Sequence, residues 1–399
     1  MKNIVALILL SSFLLLISCE KSLEPQETQV AEVNLEMSMP EAGTPIENSY
    51  IVVFKNGTIE TNNSVSLAKA AVQMHAANVL ESIQVSEEAI SNVYAKALPG
   101  FSARISKEQA ETLKSDKRIA FIEQDMVMNK GPRWNDDPDD PPAGEVMPWG
   151  ITRVGGGANY TGPFVAWIID SGIDLDHPDL NVDASRGVEY IDRTDILDDD
   201  NGHGTHVAGT VAAIAGNDIG VVGVAAGATV IPVKVLDRRG SGSTTGVIAG
   251  VDWVAANGTP GDVANMSLGG GVSDALDLAV FNASQTGVLF SLAAGNESDD
   301  ADTHSPGRTE GPNIFTISAF AEGDIWASFS NYGNPPVDYG APGVAILSLA
   351  PGGGTATMNG TSMAVPHVAG LLLSTGGSLS TDGYVSGDPD GIPDPIAHQ

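Results

Sequence analysis

The sequence predicts an α/β protein: a doubly wound, mostly parallel sheet with helices on both faces, preceded by a small α+β module. Three observations carry this expectation. From Pro148 onward, continuous apolar strands alternate with segments of helical period. Strands apolar on both faces must be covered on both, and a repeated βα order builds a parallel sheet. Between Tyr50 and Glu123, short strands and helices alternate, as a small module requires. Between the two parts, Trp134-Asn-Asp-Asp-Pro-Asp-Asp-Pro-Pro142 is too acidic and too rich in proline to pack. It reads as an exposed linker, where proteolysis concentrates.

In chain order, Lys2 opens a short basic start and Ile4 to Ile17 is an almost unbroken apolar run, too short for a comfortable bilayer span. The run ends Leu16-Ile17-Ser18-Cys19, which resembles a bacterial lipobox. That resemblance implies cleavage before Cys19, the single cysteine, and a lipid on its thiol. Residues 1–18 thus read as a lipoprotein signal peptide and 19–47 as a polar tether. In the module, 48–129, Tyr50–Phe54, Phe101–Ile105 and Ile119–Glu123 read as strands, Leu67 to Ile83 as a helix, and Ser106 as the cap of a second helix. Residues 130–147 are the linker. In the main domain, 148–376, Phe164–Ile169, Val230–Leu236, Val263–Ser267 and Val288–Leu292 read as strands, with Pro232 anomalous for a central one. Val247, Ile248, Val251, Val254 and Ala255 fall at helical spacing, and Ser273 to Thr286 makes another helix that stops at Gly287. Residues 377–399 form a tail rich in Gly, Asp and Pro.

A formal net charge of −31 over 399 residues excludes a nucleic-acid partner, which requires a basic face. No segment after the leader is apolar enough to span a membrane, so membrane contact is expected only through the lipid anchor. One cysteine excludes an intrachain disulfide.

Three segments carry the chemistry. Asp170, in Ile168-Ile-Asp-Ser-Gly-Ile173, ends an apolar strand, where a carboxylate is costly unless paired. His203, in Asp200-Asn-Gly-His-Gly-Thr-His-Val-Ala-Gly209, opens a helix amid small residues. Ser362, in Asn359-Gly-Thr-Ser-Met-Ala-Val-Pro366, stands at the start of an apolar helix, where backbone N–H groups lack partners. Together these segments resemble the three signatures of the subtilase family of serine proteases, in the order Asp, His, Ser. The texture of Pro148-Trp-Gly-Ile, His304-Ser-Pro and Phe329-Ser-Asn-Tyr-Gly333 is similar to the proteinase K branch. The N-terminal module resembles the inhibitory propeptide of that family.

The resemblance implies acyl transfer: Ser362 as nucleophile, His203 as general base and then acid, Asp170 orienting the imidazole. Asn296, in Ala293-Ala-Gly-Asn296, and the Ser362 N–H are implied as oxyanion donors. Ser267-Leu268-Gly269 and Gly240-Ser241-Gly242 are implied as two strands that sandwich an extended polypeptide substrate, with Gly269 and Gly270 leaving room for a side chain and a broad specificity with an apolar lean. The family also implies structural Ca²⁺ and no organic cofactor. One calcium site would use Asp179, the Asn217 side chain and the carbonyls of Ala215, Ile219 and Val221; a second, Asp338 with the carbonyls of Pro312 and Ile314. Asp388, Asp390 and Asp394 form a third candidate loop. Oxygen donors of this kind suit calcium. His206 and His367 read as packing residues, and Asp198 to Asp200 as a solvated loop.

The expected protein is therefore an exported cell-envelope lipoprotein, or one secreted after processing: a monomeric serine endopeptidase that cuts itself between Met128 and Met147 and is held by its own propeptide until then. A surface-anchored binding protein with an inactive protease fold is the alternative, and a peptide ligase a more distant one. The serine helix breaks early, at Leu371-Leu-Leu-Ser-Thr-Gly-Gly377, so the helices that usually close the family's fold are expected to be missing or replaced.

Overall fold

The structure, a computed structural model, describes residues 41–59, 64–130, 144–191 and 196–399, with the backbone of Pro138–Asp139. The leader, Cys19 and most of the tether lie outside these residues.

The N-terminal module is built on strands β1 (Pro45–Phe54), β2 (Ile90–Tyr94), β3 (Gly100–Arg104) and β4 (Ile119–Asn129), in sheet order β4-β1-β3-β2, all neighbours antiparallel. Helix α1 (Val65–Glu81) packs on it through Ala68, Val72, Ala76, Val79 and Leu80, a spacing that keeps one face on the core. Helix α2 (Lys107–Leu113) begins at Ser106 with a complete capping box closed by Gln109. β4 is six residues longer than the sequence pattern set it. Of its extra residues, Val127 and Met128 are buried, and Met128 lies in a core shared with the main domain rather than in the module's own. Alternation within the module therefore carried no sign of them.

The main domain is a largely parallel sheet. Its central strand, Ala166–Asp170, lies between Thr229–Lys234 and Val263–Met266, and the sheet continues through Leu289–Ala293, Ile314–Ala321 and Val337–Pro342. Ala166 and Ile168 face one core with helices His203–Ala212 and Thr361–Thr375; Trp167 and Ile169 face another with helices Thr244–Asn257 and Asp274–Ser284. Pro232 is tolerated because Thr229–Lys234 has an interrupted outer neighbour. Asn181–Val182 pairs with its start and Val188–Glu189 with its end, leaving a gap beside residue 232 where no donor is needed. The chain leaves the central strand to one side first and returns to the other, so the carboxyl end of Ala166–Asp170 is a switch point where reactive groups gather.

The tail is ordered into strands. It is a strand pair, Ser380–Tyr384 with Pro395–His398, and the second strand joins Val337–Pro342 in parallel. Ile396 and Val385 are fully buried against Phe320, beside Trp149 and Trp326. Strands thus cover this edge, where the early break of the serine helix led to the expectation that closing helices are missing or replaced. The linker is also partly engaged: Pro138–Asp139 pairs with Gly354–Met358, and Val146 with Val221.

Candidate active site

Asp170 ends its strand fully buried, and its carboxylate accepts the Ser171 N–H at 2.7 Å. His203 Nδ1 lies 2.8 and 3.0 Å from the two Asp170 oxygens. A carboxylate only accepts, so Nδ1 carries the proton and Nε2 is left as the base. The His203 helix comes close because residue 204 is glycine: a Cβ there would stand 2.0 Å from the Gly172 carbonyl oxygen.

That helix has no side-chain cap on its own N-cap residue, Gly202. Asp199 supplies one. It is buried, accepts the N–H groups of Asn201, Gly202 and Thr205 at 2.8–3.0 Å, and takes the hydroxyls of Thr205 and Ser171. Burial holds its pKa above the usual value, against these hydrogen bonds. Ser171 Oγ in turn accepts from Gly204 N at 3.0 Å, which ties the aspartate loop to the histidine helix. The Asp198–Asp200 run is therefore not simply solvated. Asp200 also pairs with buried Lys234 at 2.7 Å.

Ser362 lies in the first turn of Thr361–Thr375. Pro366 cannot donate to the Ser362 carbonyl, and the Ser267 hydroxyl does so instead at 2.8 Å, itself fixed by Asn265 Nδ2 at 2.9 Å. Asn296 Oδ1 accepts from Thr361 N at 2.8 Å and from its hydroxyl at 3.1 Å. The amide N–H must find an acceptor, so the Asn296 orientation is set and Nδ2 is left to donate. Ser362 Oγ lies 3.2 Å from Ser267 O and 3.4 Å from Lys130 O. Among the described residues no hydrogen bond joins it to His203.

Lys130 is where β4 leads. Asn129, Met128 and Val127 pair antiparallel with Ser241, Gly242 and Ser243 on one side. On the other, Asn129 exchanges both backbone hydrogen bonds with Gly269, at 3.1 and 2.9 Å. Lys130 N donates to Gly240 O at 3.3 Å. The strands of Gly240–Gly242 and Ser267–Gly269 thus hold the end of the N-terminal module between them, with Leu268 buried behind.

Carboxylates fasten the rest of the module. Asp125 accepts Thr245 N and its hydroxyl at 3.1 and 3.0 Å, at the start of helix Thr244–Asn257. Glu123 accepts Ala275 N at 3.1 Å and the Ser273 hydroxyl, at the start of helix Asp274–Ser284. Helix N-termini favour such anions. Burial raises the pKa of both. In the reverse sense, buried Asp252 of the main domain accepts the N–H groups of Ala95, Lys96 and Ala97 at 2.6–2.9 Å.

His206 and His367 are fully buried and bond to backbone carbonyls, and burial lowers their pKa to about 3 and about 4. Among the described residues no three His, Cys, Asp or Glu side chains are grouped to hold a metal ion. Asp179 meets Asn217 Nδ2 at 2.6 Å and Val221 N at 3.1 Å within the loop that also carries Ala215 and Ile219. Glu145 accepts Gly216 N at 2.6 Å in the same loop. Asp338 accepts Thr316 N at 2.9 Å, next to Ile314 on the same strand and past Pro312; desolvation and the charges of Glu310 and Asp394 push it up to about 6. Asp388 is likewise pushed up to about 6, by burial and the charge of Asp394; Asp394 is bonded to Ser318 and Asn334, and Asp390 to its own loop through Ile392 N.

The subtilase family matches residues 161–375, and the peptidase inhibitor I9 family matches residues 49–130. The chain belongs to the subtilase family. Alkaline serine exoprotease A of Vibrio alginolyticus is 40% identical over 349 residues, 84% of this chain and 62% of the relative. This chain thus spans less than two thirds of that enzyme. A subtilisin-like protease of Coccidioides posadasii is 39% identical over 82% of this chain and 81% of its own length, and an extracellular serine proteinase of a Thermus strain 37% identical over 91% and 87%. The crystal structure of a cold adapted subtilisin-like serine proteinase superposes with a TM-score of 0.53 and 39% identity, over 63% of this chain and 97% of that one. This subtilase carries its I9 module on the same chain, with helices and a mostly parallel sheet in the main domain.

The sequence reading took Asp199 for part of a solvated loop and gave no role of their own to Ser171, Asp252, Glu297 and His304, the last two of which line the recess beside Ser362. Glu297 directly follows Asn296, so its place in the chain was a signal for it. Asp252 lay inside an apolar helical pattern, where a lone carboxylate marks a partner on that face.

Proposed function

We propose that this subtilase is a secreted serine endopeptidase that cuts itself free of an N-terminal inhibitor. One observation carries the reading above the others: a strand of the chain's own module lies in the cleft as an extended peptide, with the Lys130 carbonyl 3.4 Å from Ser362 Oγ. Backbone pairing on both sides gives affinity with little demand on sequence. In the reaction, Ser362 Oγ turns from the Ser267 and Lys130 carbonyls toward His203 Nε2, gives up its proton there and attacks the peptide carbonyl. Asp170 holds Nδ1–H and stabilises the imidazolium. Asn296 Nδ2 and the Ser362 N–H receive the oxyanion, and such a donor is worth roughly 10²–10³ in turnover, a size taken from subtilisin itself. His203 then protonates the leaving amine, and water releases the acyl group by the same relay.

On this reading the bond broken is one of the two on either side of Gly131, next to the Lys130 carbonyl that faces Ser362 Oγ, and the new N-terminus is Gly131 or Pro132. With Ser362→Ala the precursor stays at full length, whereas the unaltered chain splits there, read by intact mass and N-terminal sequencing. Processing of the alanine variant, or an N-terminus other than Gly131 or Pro132, would sink self-cleavage at this register.

The calcium reading would use Asp179, whose carboxylate desolvation holds above its usual pKa, the Asn217 amide turned to offer oxygen, and the carbonyls of residues 215, 219 and 221, oxygen donors that suit calcium. Asp338 with the carbonyls of Pro312 and Ile314 is a second such place. Calcium there would brace loops and supply no chemistry. Export is supported by the leader and by the Thermus relative's name, and the lipid anchor on Cys19 by the leader alone.

A further inference from the structure

The strand Thr229–Lys234 ends on a lysine that is only 4% exposed. It lies level with Asp170 on the neighbouring strand. A buried ammonium is costly unless its charge and its donors are matched. Two partners meet it. Lys234 Nζ donates to the Ser171 carbonyl and, at 2.7 Å, to Asp200 Oδ1. Of the aspartates at 198–200, Asp199 is buried under the His203 helix, while exposed Asp200 turns to the lysine.

Both partners stand close to the relay in the chain. Ser171 follows Asp170; its N–H donates to the Asp170 carboxylate at 2.7 Å, and its Oγ accepts from Gly204 N, in the His203 helix, at 3.0 Å. Asp200 lies in the loop that opens that helix. The segment that starts at Lys234 fastens both loops again through its backbone. The Asp170 carbonyl accepts Val235 N and Leu236 N at 2.8 and 3.1 Å, and Asn201 Nδ2 donates to Arg238 O at 3.0 Å. The Lys234 ammonium is the side-chain bridge between the two.

Stability alone does not call for an ammonium here. Replacing a buried ion pair by apolar side chains of similar volume is often neutral or stabilising. What an apolar chain cannot do is hold two loops at a fixed separation. The tolerance is small, because the Asp170 loop and the His203 helix touch at Gly204, where a Cβ would stand 2.0 Å from the Gly172 carbonyl oxygen. A shift of the Ser171–Gly172 peptide therefore presses directly on the helix that carries the base.

We propose that Lys234 is a positioning residue of the relay: its ammonium clamps the Ser171 carbonyl to Asp200 and so fixes Asp170 against His203. The inference rests on the proteolytic reading above. Lys234→Met keeps the length and removes charge and donors; Asp200→Ala removes the outer partner. In the processed enzyme Lys234→Met is expected to lower kcat about thirtyfold and Asp200→Ala about fivefold, with KM changed less than about threefold, since small errors in placement are expensive in rate. The double variant is expected to be no slower than Lys234→Met, because both changes break one bridge. The NMR resonance of the His203 Nδ1 proton, which Asp170 accepts, is expected to shift in Lys234→Met while the denaturant midpoint does not fall. The rate of self-cleavage of the precursor is expected to drop in the same order, which needs no mature enzyme. If Lys234→Met does not fold, Asp200→Ala decides, since Asp200 is exposed. A parent-like kcat and Nδ1 resonance in the folded variants, or losses that add in the double variant, overturn the positioning role and leave proteolysis standing. No cleavage by the unaltered enzyme, with Ser362 unlabelled by a serine-directed probe, overturns both.

Discussion

The proposed triad was legible in the sequence because each of its members sits in a local pattern that only makes sense around it. Asp170 ends an apolar strand, glycines crowd His203, and Ser362 opens a helix. Asp199 had no such mark. It stands in a run of three aspartates, and composition alone makes a solvated loop the natural reading. Its burial is visible only in three dimensions, where five donors converge on one carboxylate. Those donors belong to both the Asp170 loop and the His203 helix, so in the proposed relay Asp199 is a positioning residue that does not touch the reacting atoms. In Asp199→Asn one oxygen becomes a donor facing donors. The change is expected to cost about 3 kcal/mol of stability and to lower kcat about 10²-fold with little effect on KM, because small errors in placement are expensive in rate. Denaturant unfolding and steady-state kinetics on the folded variant check this. A kcat within threefold of the parent would remove Asp199 from the positioning of His203.

Among the elements, strands apolar on both faces and helices with clear caps were readable, and Ser106, Ser243 and Ser273 all act as N-caps. What was not readable is structure made between segments far apart in the chain. β4 ran past its own module because its last residues are paired and buried by the main domain, and the tail became strands because the edge at Val337–Pro342 needed a partner. The grip of Asp252 on residues 95–97 is of the same kind. Three N–H groups of one loop point at one carboxylate, and a carboxylate so served is stabilised by hydrogen bonds to its charged form. Asp252→Ala leaves those donors buried without an acceptor, at about 3 kcal/mol, or roughly a hundredfold weaker hold on the cleaved module. Residual activity of the processed but undissociated complex, measured against dilution, reports that hold. Release at the same dilution as the parent would show that the cleft strand alone retains the module.

At the scale of the whole molecule, two parts of one chain are held together partly by carboxylates that are uneasy in their places. Glu123 is half-buried and Asp125 buried where the module meets the helices Asp274–Ser284 and Thr244–Asn257, and desolvation raises both pKa values against the hydrogen bonds they accept. For Glu123 the charges of Asp274 and Asp277 add to the rise. When the module leaves, both groups return to water and to ordinary carboxylate behaviour. The joined state therefore holds more protons than the separated one at pH values between the ordinary and the raised pKa. By linkage, their contribution to association is fully present below the ordinary pKa and is lost as pH rises through the raised one. The cleaved module should thus be held more tightly in mildly acidic than in neutral solution. Size-exclusion chromatography of the processed complex across that range measures retention directly, apart from turnover. The expected curve shows release increasing with pH, and the pair Glu123→Gln and Asp125→Asn flattens it. Release that increases as pH falls would mean that the helix N-termini favour these anions by more than burial penalises them, and would reverse the sign argued for the whole interface.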